Sequence, residues 1–219
     1  MHKLEFFERE PLSKQKPKKL IIFLHGYGSS GDNLIGLSKE FEKAAPDAHF
    51  ISPNAPFSLN YPMMMGGYQW FPLDNRDPKV MYPKVLEANE ILDAFISSQL
   101  NKFELTRKDV ILIGFSQGSM MAMFNGLKNE EQGSGIIAYS GRLILPSWLG
   151  CEIKSKPKIC LIHGKDDEVV TFDNFLEAKK ILTTEQIPFE DHALNNLGHS
   201  IDFKGVKIAK EFLQNLNSN

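Results

Sequence analysis

The alternation of short apolar runs with longer segments of helical spacing constrains the fold of this chain more than any other feature. Each run is rich in β-branched residues and most lack a polar face, which predicts strands buried on both sides. The predicted strands lie at residues 20–24, 48–52, 110–113, 135–139, 158–162 and, with a half-exposed alternating pattern, 189–194.

Four further segments have apolar residues at every third or fourth position. They predict amphipathic helices at about 80–103, 117–128, 172–183 and 203–216. Strands that alternate with helices predict an α/β fold with a doubly wound, mostly parallel sheet and helices on both faces. Because no repeat or linker divides the 219 residues, we expect residues 1–219 to form a single domain.

The segment at about residues 55–78 does not follow this alternation. It is rich in proline, glycine, methionine and aromatic residues and has no regular period, which predicts an irregular loop. Long loops inside a compact domain are usually functional or disordered, and this many aromatic residues argue against disorder. We therefore expect this segment on the substrate side of the fold.

The composition argues against several kinds of partner and cofactor. A net charge of −2 predicts no nucleic-acid partner, and no apolar run approaches the ~18–20 residues that a membrane span needs. The chain has only 2 cysteines, which favours a reducing compartment and hence a cytoplasmic location. No grouping of His, Cys and Asp has the spacing of a zinc site, so we expect neither a metal nor another cofactor.

A catalytic serine is predicted where the strongest strand ends. That strand runs directly into Gly114-Phe115-Ser116-Gln117-Gly118, and a helical pattern follows. A bare Gly-x-Ser-x-Gly is common by chance, but the strand before it and the helix after it make this one specific. The two glycines allow a sharp turn that projects the serine hydroxyl from the carboxyl end of the sheet, where open α/β sheets bind ligands.

A serine hydroxyl is a poor nucleophile until a base takes its proton. In this arrangement the chain order is Ser, then Asp or Glu, then His, each at a strand end. His192 lies within the last predicted strand, whereas His199 lies in the loop that follows it. Because a loop can carry an imidazole over Ser116, we expect His199 to act as general base and then as general acid.

The carboxylate that orients this base is expected in residues 163–170, directly after the penultimate strand. Asp167 is preferred because the two valines that close the segment would pack it against the core and hold the neighbouring carboxylate. Asp166 stays the alternative on this pattern alone.

A glycine-rich loop at residues 25–33 follows the first strong strand. Glycines let the backbone approach a ligand closely. In α/β-hydrolases an N–H of this loop pairs with the N–H of the residue after the nucleophile to bind an oxyanion. The candidate donors are the backbone N–H groups of Tyr27 and Gln117.

Four motifs, in order along nearly the whole chain, carry a resemblance to a known family. They are Phe-Leu-His-Gly-Tyr-Gly at 23–28, Gly-Phe-Ser-Gln-Gly at 114–118, His-Gly-Lys-Asp-Asp at 163–167 and Gly-His at 198–199. Together they resemble the phospholipase/carboxylesterase family, which includes the acyl-protein thioesterases. The resemblance implies an α/β-hydrolase fold, a triad and an oxyanion hole; its pattern falls on Ser116, Asp167, His199, Tyr27 and Gln117. The resemblance thereby selects Asp167 over Asp166 as the orienting carboxylate.

The aromatic stretch at residues 68–71 is similar to the one beside the acyl site of that family. The eukaryotic thioesterases have Trp-Tyr-Asp where this chain has Trp70-Phe71-Pro72. This departure favours a bacterial-type carboxylesterase.

We expect the substrate-binding residues to form an acyl groove, because aromatic and methionine side chains suit irregular apolar ligands. The candidates are Trp70, Phe71 and Met65, with Leu143 on the opposite wall. On this expectation, Trp70→Ala costs medium-chain esters more than acetyl esters. An exposed apolar groove also favours association, so the segment is a candidate homodimer face.

The predicted activity is hydrolysis of short- to medium-chain acyl esters or thioesters through an acyl-enzyme. The expected substrate is a small-molecule or lipid acyl ester. An acylated protein is kept as an alternative, so a lysophospholipase or a depalmitoylating thioesterase is the second hypothesis. An acyltransferase and a non-catalytic binding protein on the same scaffold are less favoured; the intact Ser-Asp-His set argues against the latter.

Overall fold

The computed structural model describes residues 4–61, 64–75, 77–144 and 153–217. Its strands are β1 Phe6–Arg9, β2 Lys19–Leu24, β3 Ala48–Pro53, β4 Phe57–Tyr61, β5 Met64–Gln69, β6 Val110–Phe115, β7 Gly135–Tyr139, β8 Lys158–Gly164 and β9 Phe189–Leu194. Its α-helices are α1 Gly31–Ile35, α2 Ser38–Phe41, α3 Pro78–Phe103, α4 Gln117–Lys128, α5 Phe172–Thr184 and α6 Phe203–Asn217.

Seven strands form the main sheet, in the order β1-β3-β2-β6-β7-β8-β9. Neighbours from β3 to β9 are parallel, and β1 runs antiparallel to β3 at one edge. The predicted α/β-hydrolase fold with a mostly parallel sheet is therefore confirmed. β6 has three strands on each side, so the residue that follows it emerges near the middle of the carboxyl edge.

Helices cover both faces of the sheet because the side chains of each buried strand alternate between two cores. In β2, Leu20, Ile22 and Leu24 pack with apolar residues of α3, α4 and α5. Ile21 and Phe23 point the other way and pack with residues of α2 and α6. None of the helices in the described ranges combines the length and apolar character that crossing a membrane requires.

All six predicted strands and all four predicted helices are present, with ends that differ by at most two residues. α3 begins at Pro78, where proline suits the first helical position because its missing N–H needs no partner there. Asp77 caps this end by accepting a hydrogen bond from the Lys79 N–H at 2.9 Å. The sequence did not predict β1, α1 or α2, which have only four or five residues each.

The expectation of an irregular loop at 55–78 is wrong for residues 57–61 and 64–69, which are strands. β4 and β5 form an antiparallel hairpin, with Phe57 opposite Gln69 and a register shift between Leu59 and Tyr61. The Gly28 N–H donates to the Tyr68 carbonyl at 2.9 Å, which fastens the hairpin to the loop after β2. The register shift interrupts the two-residue period, so contacts distant in sequence specify this hairpin and its own pattern does not.

Candidate active site

The turn between β6 and α4 holds Ser116 with φ 54° and ψ −118°. Such a backbone is strained for a residue with a side chain, and it persists because the surrounding chain is packed tightly. A Cβ added at Gly114 would lie 2.4 Å from the Gly118 carbonyl oxygen, and one added at Gly118 would lie 1.9 Å from the Leu24 carbonyl oxygen. Both glycines are therefore needed for the close backbone approach that makes the turn.

Three side chains form a continuous line of hydrogen bonds at the carboxyl edge of the sheet. His199 Nε2 lies 2.9 Å from Ser116 Oγ, and His199 Nδ1 lies 2.7 Å from Asp167 Oδ2. When Nδ1–H donates to the carboxylate, Nε2 keeps the lone pair that accepts the serine O–H. The structure thus brings together the serine, the histidine and the aspartate that the sequence singled out.

The backbone also holds Asp167 in place. Its Oδ1 accepts hydrogen bonds from the N–H groups of Val169 and Val170, both at 2.9 Å, and its side chain has no exposed surface. Burial raises the pKa of this carboxyl, but the hydrogen bonds from His199 and the two valine N–H groups outweigh burial and lower the pKa below its usual value. The valines therefore hold the carboxylate through their backbone.

His163 supports the same loop, a role that the sequence did not indicate. Its Nε2 lies 2.8 Å from the Val170 carbonyl oxygen, to which it donates, and its ring packs against Phe172 and Phe175. Burial lowers the pKa of His163, which keeps the ring neutral. Val170 thus connects the two side chains: its carbonyl accepts from His163, and its N–H donates to Asp167.

The alternative residues lie outside this line of hydrogen bonds. Asp166 is exposed, in contrast to the enclosed side chain of Asp167. His192 lies inside β9, and its Nε2 is 3.9 Å from a carboxylate oxygen of Glu190. Within the described ranges, no group of three or more His, Cys, Asp or Glu side chains is placed to hold a metal ion.

Gln117 lines the cavity that contains Ser116 and binds a neighbouring loop through its side chain. It is the first residue of α4, where an N–H has no acceptor within the helix. Its side-chain Nε2 donates to the Phe71 carbonyl at 2.7 Å, and its Oε1 accepts from the Trp70 N–H at 2.8 Å. Gln117 and Tyr27 both line the cavity that contains Ser116.

This cavity has a volume of about 650 Å³. Its apolar lining consists of Leu34, Leu73, Phe115, Met120, Val169 and Val170. Polar groups at the same cavity include Arg142, Asp74 and Asn174. A cavity with a mostly apolar surface, next to Ser116, is suited to an acyl chain and the ester bond that carries it.

A model of the family Phospholipase/Carboxylesterase matches residues 11–217 of the chain. The chain belongs to the phospholipase/carboxylesterase family. Acyl-protein thioesterase 1 of Aspergillus fumigatus is 29% identical, over 91% of this chain and 88% of that protein. The crystal structure of esterase PE8 has a TM-score of 0.90 and 36% identity, and covers 98% of this chain and 99% of its own. The Bacillus cereus carboxylesterase has a TM-score of 0.79 at 16% identity, over 97% of this chain and 94% of its own, and shows the same fold.

In this member of the phospholipase/carboxylesterase family, the aromatic stretch does not form a groove wall. Trp70 and Phe71 have no exposed surface and are absent from the lining of the cavity. Trp70 Nε1 donates to the His25 carbonyl at 2.9 Å, and the backbone of both aromatic residues is bound to Gln117. The acyl-groove prediction for these two residues is therefore wrong, because their hydrogen bonds draw them into the core.

The two remaining substrate-binding candidates have different outcomes. Leu143 packs against the core and is absent from the cavity lining, whereas its neighbour Arg142 lines the cavity. Successive side chains of a non-helical segment point in different directions, so a shift of one residue changes which side chain faces the substrate. The backbone of Met65 lies in β5, but its side chain lies outside the described residues.

His25 is buried and lines the cavity, and the sequence predicted no role for it. Its Nδ1 lies 2.7 Å from the Gly26 carbonyl oxygen, to which it donates, and its Nε2 accepts from the Ala55 N–H at 2.9 Å. Burial lowers the pKa of His25 to about 4. The neutral ring therefore connects the glycine-rich loop to the chain after β3.

Trp70→Phe is expected to lower kcat/KM by a similar factor for acetyl and octanoyl esters. The substitution leaves the buried His25 carbonyl without its donor, which costs about 1–3 kcal/mol of stability and loosens the loops around Gln117. Leu73→Ala is the matched comparison, because Leu73 lines the cavity. It should cost octanoyl esters more than acetyl esters, since each buried methylene is worth about 0.8 kcal/mol.

The measurement is kcat/KM over a series of para-nitrophenyl esters of increasing acyl length, with thermal unfolding of each variant. If Trp70→Phe penalises long acyl chains as Leu73→Ala does, the aromatic stretch contacts substrate after all.

Proposed function

We propose that this protein is a serine carboxylesterase that hydrolyses short- to medium-chain acyl esters and thioesters through an acyl-enzyme on Ser116. The observation that carries the proposal is the line of hydrogen bonds from Ser116 Oγ through His199 to Asp167, at 2.9 and 2.7 Å. Membership of the phospholipase/carboxylesterase family and the overlap with esterase PE8 support it.

In the first half of the reaction, Ser116 Oγ attacks the carbonyl carbon while His199 Nε2 takes the serine proton. Asp167 keeps the ring in the required orientation and stabilises the imidazolium that forms. The backbone N–H groups of Gln117 and Tyr27 are the proposed donors to the oxyanion of the tetrahedral intermediate. The intermediate then expels the alcohol or thiol, which takes its proton from His199 Nε2 and leaves the acyl group on Ser116.

In the second half, a water molecule replaces the leaving group. His199 Nε2 takes a proton from this water as its oxygen attacks the acyl carbonyl, and the same oxyanion donors stabilise the second intermediate. Collapse of this intermediate releases the carboxylic acid and returns the proton to Ser116 Oγ. The same two proton transfers at one nitrogen explain why a single histidine serves as base and acid.

Hydrolysis of thioesters on acylated proteins is the second candidate function. It is favoured by the similarity to acyl-protein thioesterase 1 of Aspergillus fumigatus, which extends over 91% of this chain. A lysophospholipid would be cleaved by the same acyl-enzyme route. The apolar cavity of about 650 Å³ supports an acyl ligand in each case.

The wider setting of the enzyme is part of the proposal. The family match over residues 11–217 supports a single catalytic domain. A cytoplasmic location agrees with Cys160, which is a buried free thiol, while Cys151 lies outside the described residues. A homodimer through the segment at about residues 55–78 stays a prediction from composition.

The proposed function is tested by treating the purified protein with a fluorophosphonate probe and assaying it with para-nitrophenyl esters and matched thioesters of increasing length. We expect covalent labelling of Ser116 and turnover that is highest at short to medium acyl chains. Absence of labelling together with absence of turnover on every ester and thioester would contradict the proposal. Turnover confined to long-chain thioesters would instead favour the second candidate function.

A further inference from the structure

The cavity at Ser116 extends over the carboxyl edge of the sheet and is lined by apolar side chains from both cores. Leu73 and Met120 line it and pack with the core between the sheet and α3, α4 and α5. Leu34 and Phe115 also line it, but they pack with the core on the opposite face, between the sheet and α2 and α6. Because Ser116 follows β6 at the middle of this edge, it lies between the two pairs. We call the two parts of the cavity the Leu73 side and the Leu34 side.

The loop that carries His199 belongs to the Leu34 side. The centroid of the His199 ring is 4.9 Å from the centroid of the Phe115 ring. Ile201, two residues further along the chain, packs with the same core as Leu34. The imidazole therefore approaches the nucleophile from the Leu34 side, where its Nε2 lies 2.9 Å from Ser116 Oγ.

The position of this imidazole determines which half of an ester faces each side of the cavity. The leaving oxygen has to take a proton from His199 Nε2, which requires that it lie within hydrogen-bond reach of that nitrogen. The alcohol half of the substrate therefore extends toward the Leu34 side. Because the carbonyl oxygen is directed to the proposed oxyanion donors, the acyl chain takes the remaining direction, toward the Leu73 side.

The Leu34 side has an apolar and uncharged wall. Leu34 and Phe115 are half-buried, so each has apolar surface left that a ligand can cover. Asp74 and Arg142 are the only Asp, Glu, Lys or Arg side chains in the described lining. Asp74 belongs to the segment that carries Leu73, and Arg142 Nη2 lies 3.2 Å from a methionine Sδ of the core on the Leu73 side. A charged leaving group would thus lose water on the Leu34 side without compensation from a charge there.

We propose that the Leu34 side binds the alcohol half of the substrate, and that the preferred substrates are esters of uncharged, apolar alcohols of several carbons. The inference rests on the proposed esterase function and specifies its leaving group. Leu34 is the specificity-determining residue for the alcohol, whereas Leu73 contacts the acyl chain. The cavity volume of about 650 Å³ lies within the range of about 300–1,000 Å³ that encloses small ligands, so both halves are accommodated.

Two isomeric esters separate the two halves of the substrate at constant composition. Hexyl acetate has a long alcohol and a short acyl chain, ethyl hexanoate has the reverse, and ethyl acetate is the common reference. The measured quantity is kcat/KM for each ester, followed by acid release at constant pH. In the wild-type protein we expect kcat/KM for hexyl acetate to exceed that for ethyl acetate by about tenfold or more, because the added methylenes are buried.

Leu34→Ala is expected to lower kcat/KM for hexyl acetate by about tenfold and for the two ethyl esters by less than about threefold. Leu73→Ala makes the same chemical change at a half-buried position on the other side, and it should instead lower kcat/KM for ethyl hexanoate. Leu34→Asn keeps a similar volume and replaces apolar surface with polar surface, so it should reproduce the loss for hexyl acetate without opening a cavity. Leu176→Ala is the control: Leu176 is exposed on α5 and absent from the cavity lining, so all three values should stay unchanged.

Equal losses for hexyl acetate and ethyl hexanoate in Leu34→Ala and Leu34→Asn overturn the inference, as does an exchange of the effects expected for Leu34 and Leu73. Fluorophosphonate labelling of the wild-type protein without turnover of hexyl acetate also overturns it and leaves the nucleophile in place. Absence of labelling together with absence of turnover of all three esters counts against the esterase function itself. Labelling rate and thermal unfolding of each variant separate a loss of alcohol binding from a damaged site.

Discussion

Ser116→Ala is expected to lower kcat/KM for para-nitrophenyl esters by a factor on the order of 10⁴ or more and to abolish fluorophosphonate labelling. No other group in the line of hydrogen bonds can form the acyl-enzyme, so only transition-state binding by the rest of the site is left. Alanine removes one hydroxyl and keeps the Cβ at φ 54°, so the fold and its melting temperature should be nearly unchanged.

Ser119→Ala is the matched control for this substitution. Ser119 lies one helical turn beyond the nucleophile, is fully buried and has an Oγ with no hydrogen-bond partner within the described part of the chain. Loss of this hydroxyl should leave both labelling and turnover close to those of the wild-type protein. Undiminished labelling of Ser116→Ala would show that the nucleophile is a different residue.

Asp167→Asn is expected to lower kcat by up to about 10⁴. In the wild-type protein Oδ1 accepts from the N–H groups of Val169 and Val170, and Oδ2 accepts from His199. The asparagine oxygen must stay with the two N–H donors, so its NH₂ group faces His199 Nδ1. His199 Nδ1 must then act as an acceptor, which puts the ring proton on Nε2. Nε2 can then no longer accept the proton of Ser116.

Asp166→Asn provides the control, because it makes the same chemical change one residue earlier at an exposed position. Its kcat should stay within a few-fold of the wild-type value. Labelling rate and kcat are measured for both variants together with thermal unfolding, which separates a catalytic loss from a folding defect. An equal loss in Asp166→Asn would contradict the assignment of the orienting carboxylate.

The sheet could be predicted from the sequence because parallel strands buried on both faces leave continuous apolar runs. Residues 20–24 and 110–113 are such runs, and they became β2 and β6 at the centre of the sheet. The line of hydrogen bonds from Ser116 through His199 to Asp167 could be predicted for a related reason: the three residues follow strand ends, so their order along the chain places them at one edge. Only the selection of Asp167 over Asp166 also drew on family resemblance.

The hairpin and the role of Trp70 could not be predicted in this way. The hairpin depends on backbone hydrogen bonds between Tyr68 and the loop at Gly28 and Ser29, about forty residues earlier. The composition of an aromatic segment is the same whether its side chains line a groove or fill a core. For Trp70 the deciding partners were a carbonyl of His25 and the side chain of Gln117, and neither has a local signature in the sequence.

The amide of Gln117 sets a limit on how this scaffold can be re-engineered. It bonds in both directions with the backbone of Trp70 and Phe71, which lie 46 or more positions earlier in the chain. A segment of another hydrolase that is grafted in place of residues 57–75 therefore has to present one N–H and one carbonyl to this amide. These groups have to lie where the Trp70 N–H and the Phe71 carbonyl lie in this protein. If they do not, the graft also displaces the peptide that carries the proposed oxyanion donor. When this segment is exchanged between hydrolases, the residue at position 117 therefore has to be chosen together with the graft.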